Sequence, residues 1–207
     1  MITEEKNVKL IPAGCKEKGC PLSSQCSRLP TEVVGLHRIS VLFVGEGGGR
    51  LEGQMRRPFV GIAGTTIRKV IDRVKKNTNN NFSYALSNIC RFAPGYEEES
   101  NRPPTPEELS FCLRLLKRDI VSLNPKFVVL LGGAAHGSLF PKMPISKARK
   151  LLRTITIDNK EYTCLSTFHP SYGMRNPDAL GSIVQDLENL LGKPRPLILS
   201  EKKRTRI

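Results

Sequence analysis

Phe127-Val128-Val129-Leu130-Leu131 is an unbroken apolar run, with Asn124-Pro125 before it and Gly132-Gly133 after it. A run of this length with no polar break suits a strand covered on both faces, the setting of a parallel sheet between two helix layers. Upstream, Thr105-Pro106-Glu107-Glu108 carries a capping hydroxyl, a proline at the first turn and two carboxylates at the positive end of the dipole, so it predicts a helix start. Leu109, Leu113, Leu116 and Ile120 continue one face to about Leu123. The same alternation recurs outward. Arg38 to Val44 reads as a strand that runs into Gly45-Glu46-Gly47-Gly48-Gly49, and Gly64-Thr65-Thr66 starts a helix with Ile67, Val70, Ile71 and Val74 on one face. Ser83 to Ile89 and Tyr162 to Thr167 read as further strands, and a last helix runs from about Pro177 to Leu191. The expectation is an α/β fold, a three-layer helix–sheet–helix sandwich around a short four-stranded parallel sheet, with the strand-end loops gathered into one cleft.

At 207 residues the chain has length for one well-buried core and little for a second. Residues 1–30 hold three cysteines and three prolines with little periodicity and read as a cysteine-bearing loop of the main domain; 31–192 form the α/β domain, and 193–207 a basic, loosely ordered tail. The formal net charge of +14 points to a polyanionic partner, nucleic acid first. The opening Met1 to Lys6 has no apolar signal region, and no apolar run approaches the ~20 residues of a membrane span. An intracellular, reducing location is expected, where six cysteines suggest metal ligation or burial rather than a disulfide framework.

The glycine-rich loop at a strand end is followed, after eight residues, by Pro58-Phe59-Val60-Gly61-Ile62-Ala63-Gly64. This pair is similar to the first motif of the iron–sulfur, or family 4, uracil-DNA glycosylases. Three more blocks follow in that family's order: Ser87-Asn88, Pro104 to Glu108, and His169-Pro170-Ser171 with Arg175-Asn176-Pro177. The resemblance covers about residues 15 to 191. It implies an enzyme that extrudes uracil from single- or double-stranded DNA and hydrolyses its bond to the sugar, acting as a monomer without lyase activity.

By that resemblance Phe59 stacks on uracil, and Asn88 offers an amide donor and acceptor to the edge that separates uracil from cytosine. Gly45 and Gly47 line the uracil site, with Gly47 and Gly48 also close to phosphates. Glu46 positions or deprotonates the attacking water and steadies the cationic sugar; His169 donates to the uracil oxygen where charge develops. Ser171, Met174, Arg175 and Asn176 form the loop that enters the DNA, Met174 as wedge and Arg175 near a phosphate.

The resemblance also implies a structural 4Fe-4S cluster, with zinc as the nearest competitor. Cys20 and Cys112 match cluster positions, and Cys15 is a plausible first ligand. The family's remaining cysteine falls at Phe92, a departure that leaves Cys26 or Cys90 to complete a set of four thiolates. Cys26 is preferred, because Cys90 sits two positions early, about 6–7 Å away in extended chain. Cys164 reads as core, and His37 and His136 receive no role. Two rivals remain: a non-catalytic DNA- or polymerase-binding member of the fold, and a glycosylase that accepts hypoxanthine or xanthine. A dinucleotide site at Val44 to Gly49 leaves the other three blocks unexplained.

Overall fold

The computed structural model describes residues 7–13, 29–35, 38–92, 103–192 and 204–206. In chain order the elements are β1 (Val8–Ile11), β2 (Thr31–Val34), β3 (Val41–Gly45), α1 (Arg50–Met55), α2 (Ile62–Thr78), β4 (Tyr84–Asn88), α3 (Pro106–Leu123) and β5 (Phe127–Leu131). They continue with α4 (Gly132–Leu139), α5 (Ile145–Ala148), β6 (Leu152–Ile157), β7 (Lys160–Thr167), α6 (Pro170–Arg175), α7 (Pro177–Leu191) and β8 (Arg204–Arg206).

All strands join one sheet in the order β1-β2-β4-β3-β5-β7-β6-β8. The four-stranded parallel sheet expected from sequence is its centre: β4-β3, β3-β5 and β5-β7 are parallel pairs. Among the described residues the sheet has eight strands, which corrects the expected four. Antiparallel β1 and β2 extend one side, and β6, antiparallel to β7, extends the other with β8 beside it. The tail thus contributes a strand at 204–206.

Pleating explains the central run. Val129 and Leu131 face one apolar cluster, with Phe43, Leu86, Ile67 and Ile71 of α2 and Ile183 and Leu187 of α7. Val128 and Leu130 face the other, with Leu42, Ala85 and Cys164 from the sheet and Leu116, Ile120 and Leu139 from the opposite helices. Successive side chains point to opposite faces, so an unbroken apolar strand serves two helix layers. The α3 start behaves as read: Thr105 Oγ1 accepts from Glu108 N at 3.3 Å, and Glu108 Oε2 accepts from Thr105 N at 2.8 Å.

The topology places the site. β3 has β4 on one side and β5 on the other, each reached through its own helix, so chain direction diverges at β3 and a crevice opens at the strands' carboxyl ends. Gly45 is in register with Asn88, and Leu131 with Thr167. The glycine-rich loop, Asn88, Gly132 and His169 therefore leave the sheet along one edge.

Candidate active site

Phe59, Asn88 and His169 line one crevice of about 540 Å3, together with Gly47, Leu51 and Ile62. Gly45 is packed against two of them: a methyl group there would stand 2.5 Å from Asn88 Oδ1 and 2.8 Å from Phe59 Cζ. The absence of a side chain is what lets the ring and the amide meet. Phe59 adopts φ of 54°, unusual for a residue with a Cβ. Two contacts hold it there. Gly64 of α2 lies so close that its own methyl would be 1.9 Å from the Phe59 carbonyl oxygen, and Arg68 Nε donates to that oxygen at 3.4 Å. Arg68 and Arg57 are in turn paired with the fully buried Glu32 of β2.

Glu46 lies between Gly45 and the crevice-lining Gly47 in the chain, is half-buried, and is not itself among the lining residues. Backbone bonds from Ile89 N to Gly45 O and from Cys90 N to Glu46 O, each 2.8 Å, tie its segment to the end of β4. Burial lifts its carboxyl above the usual value of 4.5.

His169 caps α6, and its Nδ1 accepts from the Ser171 backbone N–H at 3.2 Å, with Ser171 Oγ 2.6 Å away. An Nδ1 that accepts leaves the ring proton of the neutral imidazole on Nε2. Burial first, and the charge of Arg175 second, hold the imidazole below its ordinary 6.5, so it is neutral at neutral pH. Gly132, at φ of 92°, brings the start of α4 to the His169 Cβ, where an added methyl would lie at 3.0 Å. His169 is thus a fixed neutral donor facing the crevice.

Glu52 has no counterpart in the sequence expectations. Its carboxylate accepts from three backbone N–H groups: Gly49 at 3.0 Å, Val60 at 3.0 Å and Gly61 at 2.8 Å. It therefore binds the glycine-rich loop to the turn that carries Phe59, and with both oxygens so engaged it is a brace rather than a proton acceptor. The sequence signal was an acid three residues after the helix-capping Gly49.

Leu51 and Ile62 of the lining are exposed, as are Met55 of α1 and Tyr172, Met174 and Arg175 of α6, the helix that His169 caps. Ser171 lies at the start of α6, bound to His169 as described. Asn176 is engaged by the fold: its Oδ1 accepts from Asp178 N and Ala179 N at 3.1 and 3.3 Å to cap α7. A larger cavity of about 890 Å3 lies between α3 and α4, but Lys142 is the sole ionisable group among its lining residues. It offers neither an acid nor an imidazole.

Cys15, Cys20 and Cys26 lie outside the described residues, and the described residues contain no group of three metal-ligating side chains. The chain bends at Ile89 and Cys90 rather than running on extended. Cys90 and Cys112 are buried together with Phe92 and Leu115. The Cys90 thiol first, and then the Arg91 backbone N–H at 3.4 Å, draw the Cys112 thiol down to about 7. Both flanks of the undescribed cysteine segment are fastened nearby. Arg118 of α3 donates to the carbonyls of Ala13 at 3.0 Å and Pro12 at 3.3 Å, and Leu29 N donates to Arg91 O at 2.8 Å. Cys164 is core, as expected, and His136 is buried with Nδ1 2.8 Å from Ser166 Oγ.

A parallel α/β sheet with an aromatic ring, an amide and an imidazole at its carboxyl edge defines the class. The family model described as the Uracil DNA glycosylase superfamily matches residues 34–188, and the chain belongs to that superfamily. Its relatives include the "Type-4 uracil-DNA glycosylase" of Thermotoga maritima, 30% identical over 182 residues, 85% of this chain and 88% of the relative. Proteins of the same name from Pyrobaculum aerophilum and Sulfurisphaera tokodaii are 28% and 27% identical, over 84% and 83% of this chain and 87% and 76% of their own lengths. No described helix is long and apolar enough to cross a membrane.

Proposed function

We propose that the chain hydrolyses the N-glycosidic bond of uracil extruded from single- or double-stranded DNA and leaves an abasic site. The observation that carries this reading is the convergence of Phe59, Asn88 and His169 on one crevice, with Gly45 packed against the ring and the amide. A base inside a duplex is out of reach, so it must be extruded and held by stacking and by its hydrogen-bonding edge. The Phe59 ring supplies the first and the Asn88 amide the second. Bond cleavage leaves positive charge on the sugar and negative charge on the departing pyrimidine. His169 Nε2–H meets the negative charge without giving up its proton, because a neutral imidazole of low basicity donates a hydrogen bond rather than acting as a strong acid. Glu46, ionised, meets the positive charge and orients water for attack. Met174 and Tyr172 fill the gap in the stack, and Arg175 meets a phosphate. Asn176, already a helix cap, contributes by fixing α6 against α7.

Cys90 and Cys112 would hold a 4Fe-4S cluster with two of Cys15, Cys20 and Cys26. Paired buried thiols fit the group, and Cys15 and Cys26 lie two and three residues from the fastened Ala13 and Leu29, within roughly 7–10 Å of chain. This reading prefers Cys90 to Cys26 as partner of Cys112. Bound there, the cluster ties the N-terminal segment to β4 and α3 and takes no part in hydrolysis.

The test is incubation of purified protein with oligonucleotides that carry uracil, hypoxanthine or only normal bases. Uracil release by the wild type is expected, with kcat reduced ~10²–10⁴-fold in Glu46→Ala and ~10²–10³-fold in His169→Ala. Absence of uracil release, or full activity in both variants, rejects the assignment.

A further inference from the structure

His169 is oriented by its own helix. Its Nδ1 accepts from Ser171 N, and its carbonyl accepts from Tyr172 N at 2.9 Å and Gly173 N at 3.2 Å. All three partners belong to α6, so these bonds fix the imidazole relative to that helix and do not set where helix and ring stand relative to Phe59 and Asn88. α7 does so on both sides of His169. After it, Gly173 packs on α7 so closely that a methyl group there would be 3.3 Å from Leu180 Cα and 3.4 Å from Ile183 Cδ1. Before it, Asp186, one turn beyond Ile183, accepts from the buried Thr167 hydroxyl at 2.6 Å. Thr167 ends β7, two residues short of His169.

Asp186 is itself clamped. Arg149, which follows α5, donates from Nε to Asp186 Oδ2 at 2.9 Å and from Nη2 to Oδ1 at 2.7 Å, and Nη2 also reaches the Ser182 carbonyl at 3.2 Å. The same guanidinium lies over the Phe168 ring, 5.5 Å from its centre, and the Phe168 and Tyr172 ring centres are 5.4 Å apart. One charged pair thus touches both residues that lead into His169. A largely buried ion pair gains little stability over apolar packing, whereas a two-point guanidinium fork fixes direction. We propose that Asp186, clamped by Arg149, is a positioning residue for His169, holding the end of β7 so that the imidazole meets the departing base. The proposal rests on the reading that His169 donates to uracil. A structural tie of α5 and α7 to the sheet is the competing explanation.

Single-turnover kinetics on a uracil-containing oligonucleotide separates the two, with Thr167→Val, Thr167→Ser and Arg149→Lys each made in the wild type and in His169→Ala. Thr167→Val keeps the side-chain volume and removes the hydroxyl; Arg149→Lys keeps the charge and removes the fork. If Asp186 acts through His169, each of these two lowers the maximal cleavage rate about tenfold and leaves the half-saturating DNA concentration unchanged. Thr167→Ser restores the wild-type rate, and neither loss is seen once His169 is alanine. A structural role costs the same factor in both backgrounds. A wild-type rate in Thr167→Val, or an equal loss in both backgrounds, overturns the proposal, while uracil release by the wild type leaves the functional reading standing. Should Thr167→Val fail to fold, Arg149→Lys is held to the same two outcomes. A wild type that releases no uracil overturns the functional reading itself.

Discussion

Gly45 shows how a residue with no side chain can decide the chemistry of a site. Asn88 Oδ1 and Phe59 Cζ occupy the space that a methyl at Gly45 would fill, at 2.5 and 2.8 Å. Gly45→Ala should therefore push amide and ring apart. We expect kcat/KM for uracil release to fall about 10²-fold from misplacement on this scale, at a stability cost of ~1–3 kcal/mol, measured by single-turnover kinetics and thermal melting. Protonation is set at the same scale. In the proposed mechanism Glu46 acts as a carboxylate, and burial raises its pKa above 4.5, so its ionised form is lost on acidification earlier than an exposed glutamate's would be. His169, held below 6.5, is already the neutral donor at neutral pH and adds no loss there. The rate should be level near neutrality and fall through an acid limb displaced upward from 4.5, and Glu46→Gln should flatten that limb. The motif residues themselves were legible in sequence because each sits in a short block with a distinctive neighbour. The burial of Cys90 beside Cys112 was harder to read, since it depends on a bend at Ile89 and Cys90 that extended-chain spacing cannot anticipate.

Among elements, β5, α3 and α7 follow from sequence with ends at or near those observed, because long periodic runs and capping residues announce them. β1, β2, β6 and α1 do not. Thr31-Glu32-Val33-Val34 is four residues long, and α1 is a six-residue helix with Gly53 in its middle, so each repeats its period at most twice, too few to stand out in sequence. α4 hid in Gly132-Gly133-Ala134-Ala135, where glycine argues against a helix until the packing against β3, β5 and β7 is known. The function of α1 lies in Glu52, which joins the glycine-rich loop to the Phe59 turn through three N–H donors. Glu52→Ala leaves those donors without their acceptor, and the expected cost is about 1–3 kcal/mol. Because the displaced parts are the glycine-rich loop and the stacking ring, uracil release should fall more than the melting temperature implies. Glu52→Gln, which keeps the acceptor oxygen for one arm, should recover part of the loss; an Ala variant with wild-type kcat and KM would show the brace to be dispensable.

At the scale of the whole molecule the eight-stranded sheet is a frame that delivers four strand ends to one edge, while helices on both faces exclude water from its centre. The net charge of +14 acts over the same distance. Contacts to roughly four phosphates would weaken DNA binding ~10²-fold between 50 and 200 mM salt, and a titration by fluorescence anisotropy reads that slope directly. A flat salt dependence would mean that the basic surface does not track the backbone. The central claim is spatial, so the most direct measurement is a crystal structure of Glu46→Gln with a uracil-containing oligonucleotide. The account predicts the pyrimidine flat on the Phe59 ring, its edge on the Asn88 amide and a pyrimidine oxygen within hydrogen-bonding reach of His169 Nε2. Uracil left stacked in the DNA, or lodged in the cavity between α3 and α4, would contradict it.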